Sequence, residues 1–125
     1  IENEKIKIDC SQTKIEFLPL TVNHGDIDAL GFKFENVVYM PDVLDIYPEA
    51  WGQLKGLDLL IIDALRRNPH PTHTHLEKTL GWLKQLKPKK AILTNLHNDL
   101  DYDLLKKELP DKIEPAFDGL NILIN

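Results

Sequence analysis

The chain has 125 residues, of which 42% are hydrophobic and 28% charged, with 15 basic against 20 acidic side chains and a formal charge of -5. That length accommodates one domain with a real core, and the acidic balance excludes a general attraction to nucleic acid or anionic membrane, a local basic patch aside. The single cysteine, Cys10, excludes an intramolecular disulfide and fits a reducing cytoplasm, while no apolar run approaches the roughly 20 residues of a membrane span.

In chain order, KIKID (5–9) and IEFLPLTV (15–22) carry the alternating or continuous apolar pattern of strands. ALGFKF and NVVYM meet at Glu35 and Asn36 as a hairpin with a polar turn. YPEAWGQLKG reads as a short helix, with Pro48 in its first turn and Gly56 as its stop. LDLLIIDA (57–64) is apolar throughout, as a strand buried on both faces is. THLEKTLGWLKQLKP sets Leu76, Leu80, Leu83 and Leu86 at helical spacing, with Thr72 as cap and Pro88 as terminator. KAILTN is the next buried strand, DYDLLKKELP a helix ending before Pro110, and GLNILIN a closing strand. No low-complexity linker or repeat interrupts the alternation, which predicts an α/β layered domain.

The polar residues collect at the ends of these strands. His24 and Asp42 each follow a strand and Asp63 ends one. RRNPHPTHTH (66–75), with three of the five histidines, follows Asp63, and Asn95 with His97 follows the next strand. In open α/β sheets ligands bind beyond the carboxyl ends of strands. Imidazole and carboxylate donors together suit zinc, iron or manganese, and such ions lower the pKa of water and clamp phosphoryl oxygens. On local sequence each residue keeps a plainer reading. On that footing His24 reads first as a turn residue beside Gly25, while Asp42 could be a cap and Asp63 an acceptor for loop amides. His75 belongs on the surface of the first helical turn, and His70 and His73 sit in a loop that its prolines stiffen.

The fragments VNHG, LGFKF, VVYMPDV, LDLLIIDALRRNPHPTHTHLEKTL, KKAILTNLHNDLDYDLLKKELP and EPAFDGLNI, in that order over residues 15 to 124, give a more specific pattern. With them the chain resembles the C-terminal half of the metallo-β-lactamase-fold hydrolases, in the branch of the phosphonate-pathway cyclic phosphodiesterase and the tRNA 3′-processing endonucleases. The resemblance implies half of an αββα sandwich, a mixed sheet with helices packed on it. It also implies two divalent ions, zinc or manganese, in the complete protein. His24, in its HG context, would be a metal ligand, and Asp42, closing YxxD, would bridge the two ions. His73 would donate a proton near the substrate phosphate, with His70 and Arg66 beside that phosphate and Asp63 supporting the loop. Relatives commonly carry a histidine directly after LT, where this chain has Asn95. His97, two residues on, returns to the same side of an extended segment, so the ligand role passes to His97, with Asn95 as a hydrogen-bonding neighbour or weak oxygen ligand.

The HxHxDH motif of such hydrolases is absent. The chain, which opens into a strand pattern at Ile1 without a methionine, is therefore read as about half of a hydrolase, weak in metal binding and inactive by itself. Its apolar face would be covered by the N-terminal half or by a second copy in a homo-oligomer. The complete protein is expected to be a metal-dependent, cytoplasmic hydrolase of phosphodiester or other phosphate-containing substrates, nucleotides among them, using metal-bound hydroxide. The alternative is a nucleotide- or phosphate-binding or structural half-domain without catalysis. A β-lactam substrate is not implied by the name of the fold.

Overall fold

The computed structural model describes residues 4–124. Its elements are β1 (Ile6–Cys10), β2 (Thr13–His24), β3 (Ile27–Phe34), β4 (Val37–Met40), α1 (Pro48–Trp51), β5 (Leu59–Asp63), α2 (Leu76–Leu86), β6 (Lys90–Thr94), α3 (Tyr102–Glu108) and β7 (Ile113–Pro115). All seven strands form one mixed sheet in sequential order. The pairs from β1 to β4 are antiparallel, and those from β4 to β7 are parallel. This is the α/β architecture expected of half a sandwich.

Side-chain alternation along the paired strands separates two faces. Register places Val38 and Met40 of β4 beside Leu60 and Ile62 of β5 and Ala91 and Leu93 of β6, all buried on one face. Leu20 and Val22 extend that face onto β2. The core is completed by Leu76, Leu83 and Leu86 of α2, by Leu54 in the 3-10 turn after α1, and by Leu105 of α3. The opposite face is less covered. Phe32 lies against Tyr39 in register, Phe17 and Phe34 pack with ring centroids 5.6 Å apart, and Ile8 and Tyr39 are exposed beside them. Among the described residues no helix is long and apolar enough to cross a membrane.

Two expectations about element ends need correction. Residues 119–124 form no strand. The last strand is Ile113–Pro115, paired in parallel with β6, after which Leu120 N–H donates to Phe117 O and Gly119 takes φ +88 in a turn. The apolar residues that follow find no core: Leu123 is 88% exposed. Nor does Thr72 cap α2. His75 stands at the N-cap, partly buried, and makes no side-chain cap bond. The first helical amide, Leu76 N–H, donates instead to Arg66 O because the histidine loop folds back over the helix start. Helix α3 carries an ordinary cap, with Leu104 N–H donating to Asp101 Oδ1 at 3.0 Å. Asp101→Ala is expected to cost about 1 kcal/mol, read as a lowered midpoint in thermal unfolding.

Candidate metal centre

Because β2 and β4 both run antiparallel to β3, and β4 to β7 are parallel, the carboxyl ends of β2, β4, β5 and β6 share one edge of the sheet. His24 is the last residue of β2, Asp42 lies just past β4, Asp63 ends β5, and Asn95 follows β6. The loop between β5 and α2 brings His73 back over the same edge.

Both nearby histidines are fixed through Nδ1. His24 Nδ1–H donates to the carbonyl of Thr72 at 2.6 Å, a partner that can only accept. His73 Nδ1–H donates to Asp63 Oδ2 at 2.6 Å; the Asp63 side chain is 0% exposed and that of His73 17%. The same Oδ2 accepts Val43 N–H at 3.2 Å, the amide next to Asp42. Burial pushes the Asp63 carboxyl up from the usual carboxylate range, and the bonds from His73, Val43 and Asn95 pull it back. The His24 and His73 rings meet edge to face, with centroids 4.6 Å apart and planes at 78°.

One ligand-capable atom from each of His24, Asp42 and His73 lies within 4.8 Å of the other two. Two imidazoles whose Nδ1 hydrogens are already committed leave Nε2 as the free donor, and a carboxylate completes an N₂O set that suits zinc, iron or manganese. A carbonyl or carboxylate behind each histidine is the outer partner that metal-binding imidazoles use. The residues present therefore fit a divalent ion.

The other candidates occupy different places. His70 Nδ1 accepts Thr72 N–H at 3.2 Å, and its ring centroid lies 5.4 Å from that of His73. Desolvation and the nearby Arg66 hold the His70 pKa below the usual imidazole value. Arg66 staples the loop, donating to Asn68 O at 3.2 Å and Pro69 O at 2.7 Å, while Arg67 forms a bidentate pair with Glu108. His97 is not brought into the His24–Asp42–His73 group. Its Nδ1 faces Asp99 at 3.5 Å, and its side chain is 55% exposed. The reason lies at Asn95, whose φ of +61 is left-handed, so the extended path that would return His97 to the strand's side is broken. The Asn95 amide nitrogen lies 3.3 Å from His73 Nδ1, 3.4 Å from Pro41 O and 3.5 Å from Asp63 Oδ1, all long contacts.

Several supporting residues carry no metal-site signal in the sequence. Gly25 adopts φ +80, and a Cβ there would lie 2.7 Å from Thr72 Cγ2, so only glycine lets the loop close on His24. Thr79 of α2 and Thr74, two residues before the helix, are both buried; Thr79 Oγ1 donates to Asp63 O at 2.7 Å and sits 3.1 Å from Thr74 Oγ1. Thr74 N–H donates to Val43 O, and Lys78 Nζ donates to Leu44 O, both at 2.6 Å, so the loop before α2 and the helix itself each hold the Asp42 loop. A threonine amid leucines at helical spacing was the available clue. Thr79→Val is expected to cost about 1–2 kcal/mol by leaving the Asp63 carbonyl without its hydroxyl donor, measured by urea unfolding.

Residues 1–95 match the Beta-lactamase superfamily domain. The chain belongs to the β-lactamase superfamily. The match takes in His24, Asp42, Asp63, His70 and His73, ends at Asn95, and leaves out His97. Among solved structures, a diphosphatase described as belonging to the PhnP family is 32% identical with a TM-score of 0.92, over 100% of this chain and 48% of that one. Two others show the shared fold at 17% identity. The short form of human tRNase Z has a TM-score of 0.65 over 94% of this chain and 46% of its own. The metallo-β-lactamase-fold protein YhfI from Bacillus subtilis has 0.69 over 92% and 51%. An octanoyltransferase of Porphyromonas gingivalis (strain ATCC BAA-308 / W83) is 33% identical over 110 residues, 86% of this chain and 22% of that protein. This β-lactamase superfamily chain thus spans about half the length of the solved relatives and about a fifth of the curated one.

Proposed function

We propose that this chain supplies half of the active site of a metal-dependent hydrolase acting on phosphate-containing substrates, diphosphates or phosphodiesters. The observation that carries the reading is the convergence of His24, Asp42 and His73 from three separate segments on one point, each histidine held by an outer hydrogen bond. The 32% identity to a diphosphatase over the whole chain supports the substrate class. A bound divalent ion, zinc or manganese, would supply acidified water and polarise a phosphoryl oxygen. The chain's own residues do the rest: Thr72 O and Asp63 orient the two rings, and Arg66 shapes the loop that His70 flanks, on the side where a phosphate would lie. The octanoyl transfer named for the Porphyromonas protein is not carried over, because the shared segment is 22% of it.

The exposed Phe32–Tyr39 face belongs to the same proposal. A second layer from the rest of the protein would cover it, in keeping with a chain that spans 48% of its solved relative.

The test is hydrolysis of a nucleoside diphosphate and a chromogenic phosphodiester by the intact protein that contains this chain. Stripped of metal and then reloaded with zinc or manganese, it is expected to release product only when loaded. Phosphate binding that persists in chelator without turnover would replace this reading with a binding module, and neither binding nor turnover would leave a structural half-domain.

A further inference from the structure

We infer that the outer edge of β1 is a self-association site: two copies of the chain pair through it, antiparallel about a twofold axis at Ile8, and join their sheets into one. The inference is independent of the metal-dependent reading above.

β1 forms one margin of the sheet, and among the described residues no strand pairs with its outer side. The turn that follows is two residues long, between the paired Cys10 and Thr13. The pair that closes such a turn exchanges backbone hydrogen bonds, and bonded and non-bonded pairs then alternate along the ladder. Ile8 and Ile6 therefore direct their backbone groups at β2, whereas Asp9 and Lys7 direct theirs outward. An incoming strand must bond to Lys7 and Asp9.

The side chains then select the register. Alternation puts Lys7 and Asp9 on one face of β1 and Ile6 and Ile8 on the other. Antiparallel self-pairing centred on Lys7 sets that lysine against its own copy, and pairing centred on Asp9 sets two carboxylates together. Centred on Ile6, it sets Lys5 against Lys7. Like charges directly opposite are destabilising. Centred on Ile8, Lys7 of each copy meets Asp9 of the other, and these are the residues whose backbone groups face outward. Lysines on an edge strand ordinarily keep other strands away; an aspartate two residues on turns that defence into the choice of one register.

Both faces of the hairpin suit the pairing. On the charged face Lys5, at 3.2 Å, and Lys7, at 3.7 Å, share the single Glu16 carboxylate, and 71% of the Lys7 side chain is exposed. Asp9 of the second copy would give Lys7 a carboxylate of its own. On the other face Ile6, opposite Phe17 in register, and Ile8 are both exposed. Pairing about Ile8 sets the two Ile8 side chains together and brings the apolar surfaces of the two copies side by side.

The experiment is sedimentation of the intact protein that contains this chain, over a range of concentrations. The wild type is expected to dimerise reversibly. Lys7→Asp and Asp9→Lys, each of which sets like charges together at both contacts, should weaken self-association by about 10-fold. An equimolar mixture of the two variants should associate as the wild type does, because each carries the charge that the other lacks. Each reversal also disturbs a pair within its own hairpin, Lys7 opposite Glu16 or Asp9 opposite Lys14, but mixing cannot repair that. Lys7→Pro tests the backbone separately. It removes an outward N–H and none that bonds to β2, so the hairpin, followed by amide exchange in β2, should persist while the dimer is lost. A monomeric wild type overturns the inference, whether or not the protein proves to be a metal-dependent hydrolase. So does a dimer that neither the reversals nor the proline weaken, or a mixture of folded variants that fails to associate.

Discussion

Asp63→Asn is expected to weaken zinc binding by about 10–100-fold while leaving the fold intact. The asparagine oxygen can still accept Val43 N–H, which now bonds to Asp63 Oδ2 at 3.2 Å. Its amide nitrogen, however, would donate toward His73 where the carboxylate accepted. The ring would answer by presenting Nδ1 as an acceptor and moving its hydrogen to Nε2, the nitrogen otherwise left free to bind an ion. Asp63→Ala should be harsher. It strands both the Val43 amide and the His73 Nδ1–H in a site where Asp63 is 0% exposed, at about 1–3 kcal/mol for each unpaired group. Chelator competition reads the affinity and urea unfolding the stability. An Asp63→Asn protein that binds zinc as tightly as the wild type would show that the carboxylate does not set the His73 tautomer.

Gly25→Ala is expected to cost about 2–4 kcal/mol and to weaken metal binding with it. Two effects add at this position. A φ of +80 is strained for any residue with a Cβ. The new Cβ would also stand 2.7 Å from Thr72 Cγ2 and 3.2 Å from the Pro71 carbonyl, so the loop must retreat from the turn. That retreat stretches the 2.6 Å bond from His24 to Thr72 O and frees the His24 ring to rotate. Gly119→Ala is the control. It has a comparable φ of +88 with nothing within 4 Å, and should cost only about 1 kcal/mol. Equal losses at the two positions, by thermal or urea unfolding, would mean that backbone strain alone matters and that the close approach to Thr72 does not.

The sheet and its helices were legible because their causes are local. LLIID and KAILT are apolar runs that only a doubly covered strand explains, and the Leu76–Leu83 spacing has a helical period. Where periodicity pointed the wrong way, the closing GLNILIN segment, the missing ingredient was a partner: alternating residues without a neighbouring strand or core remain coil, and Leu123 stays exposed. Thr72 failed as a cap for a related reason, since the loop's own backbone at Arg66 reached the first helical amide before any side chain did.

By itself the sequence determined the α/β order, the strand-end positions of His24, Asp42 and Asp63, and, through resemblance, the superfamily later matched over residues 1–95. Only the tertiary structure decided which donors meet. Strand direction around β3 put the ends of β2, β4 and β5 on one edge, and a left-handed Asn95 turned His97 away from it. The proline-containing loop of residues 64–75 then returned His73 to that edge, fastened by Asp63 behind it and by His24 to its neighbouring carbonyl. Spacing along a chain sets which face of an element a residue occupies, whereas convergence depends on long-range hydrogen bonds between segments 10 to 48 residues apart, which no local pattern encodes.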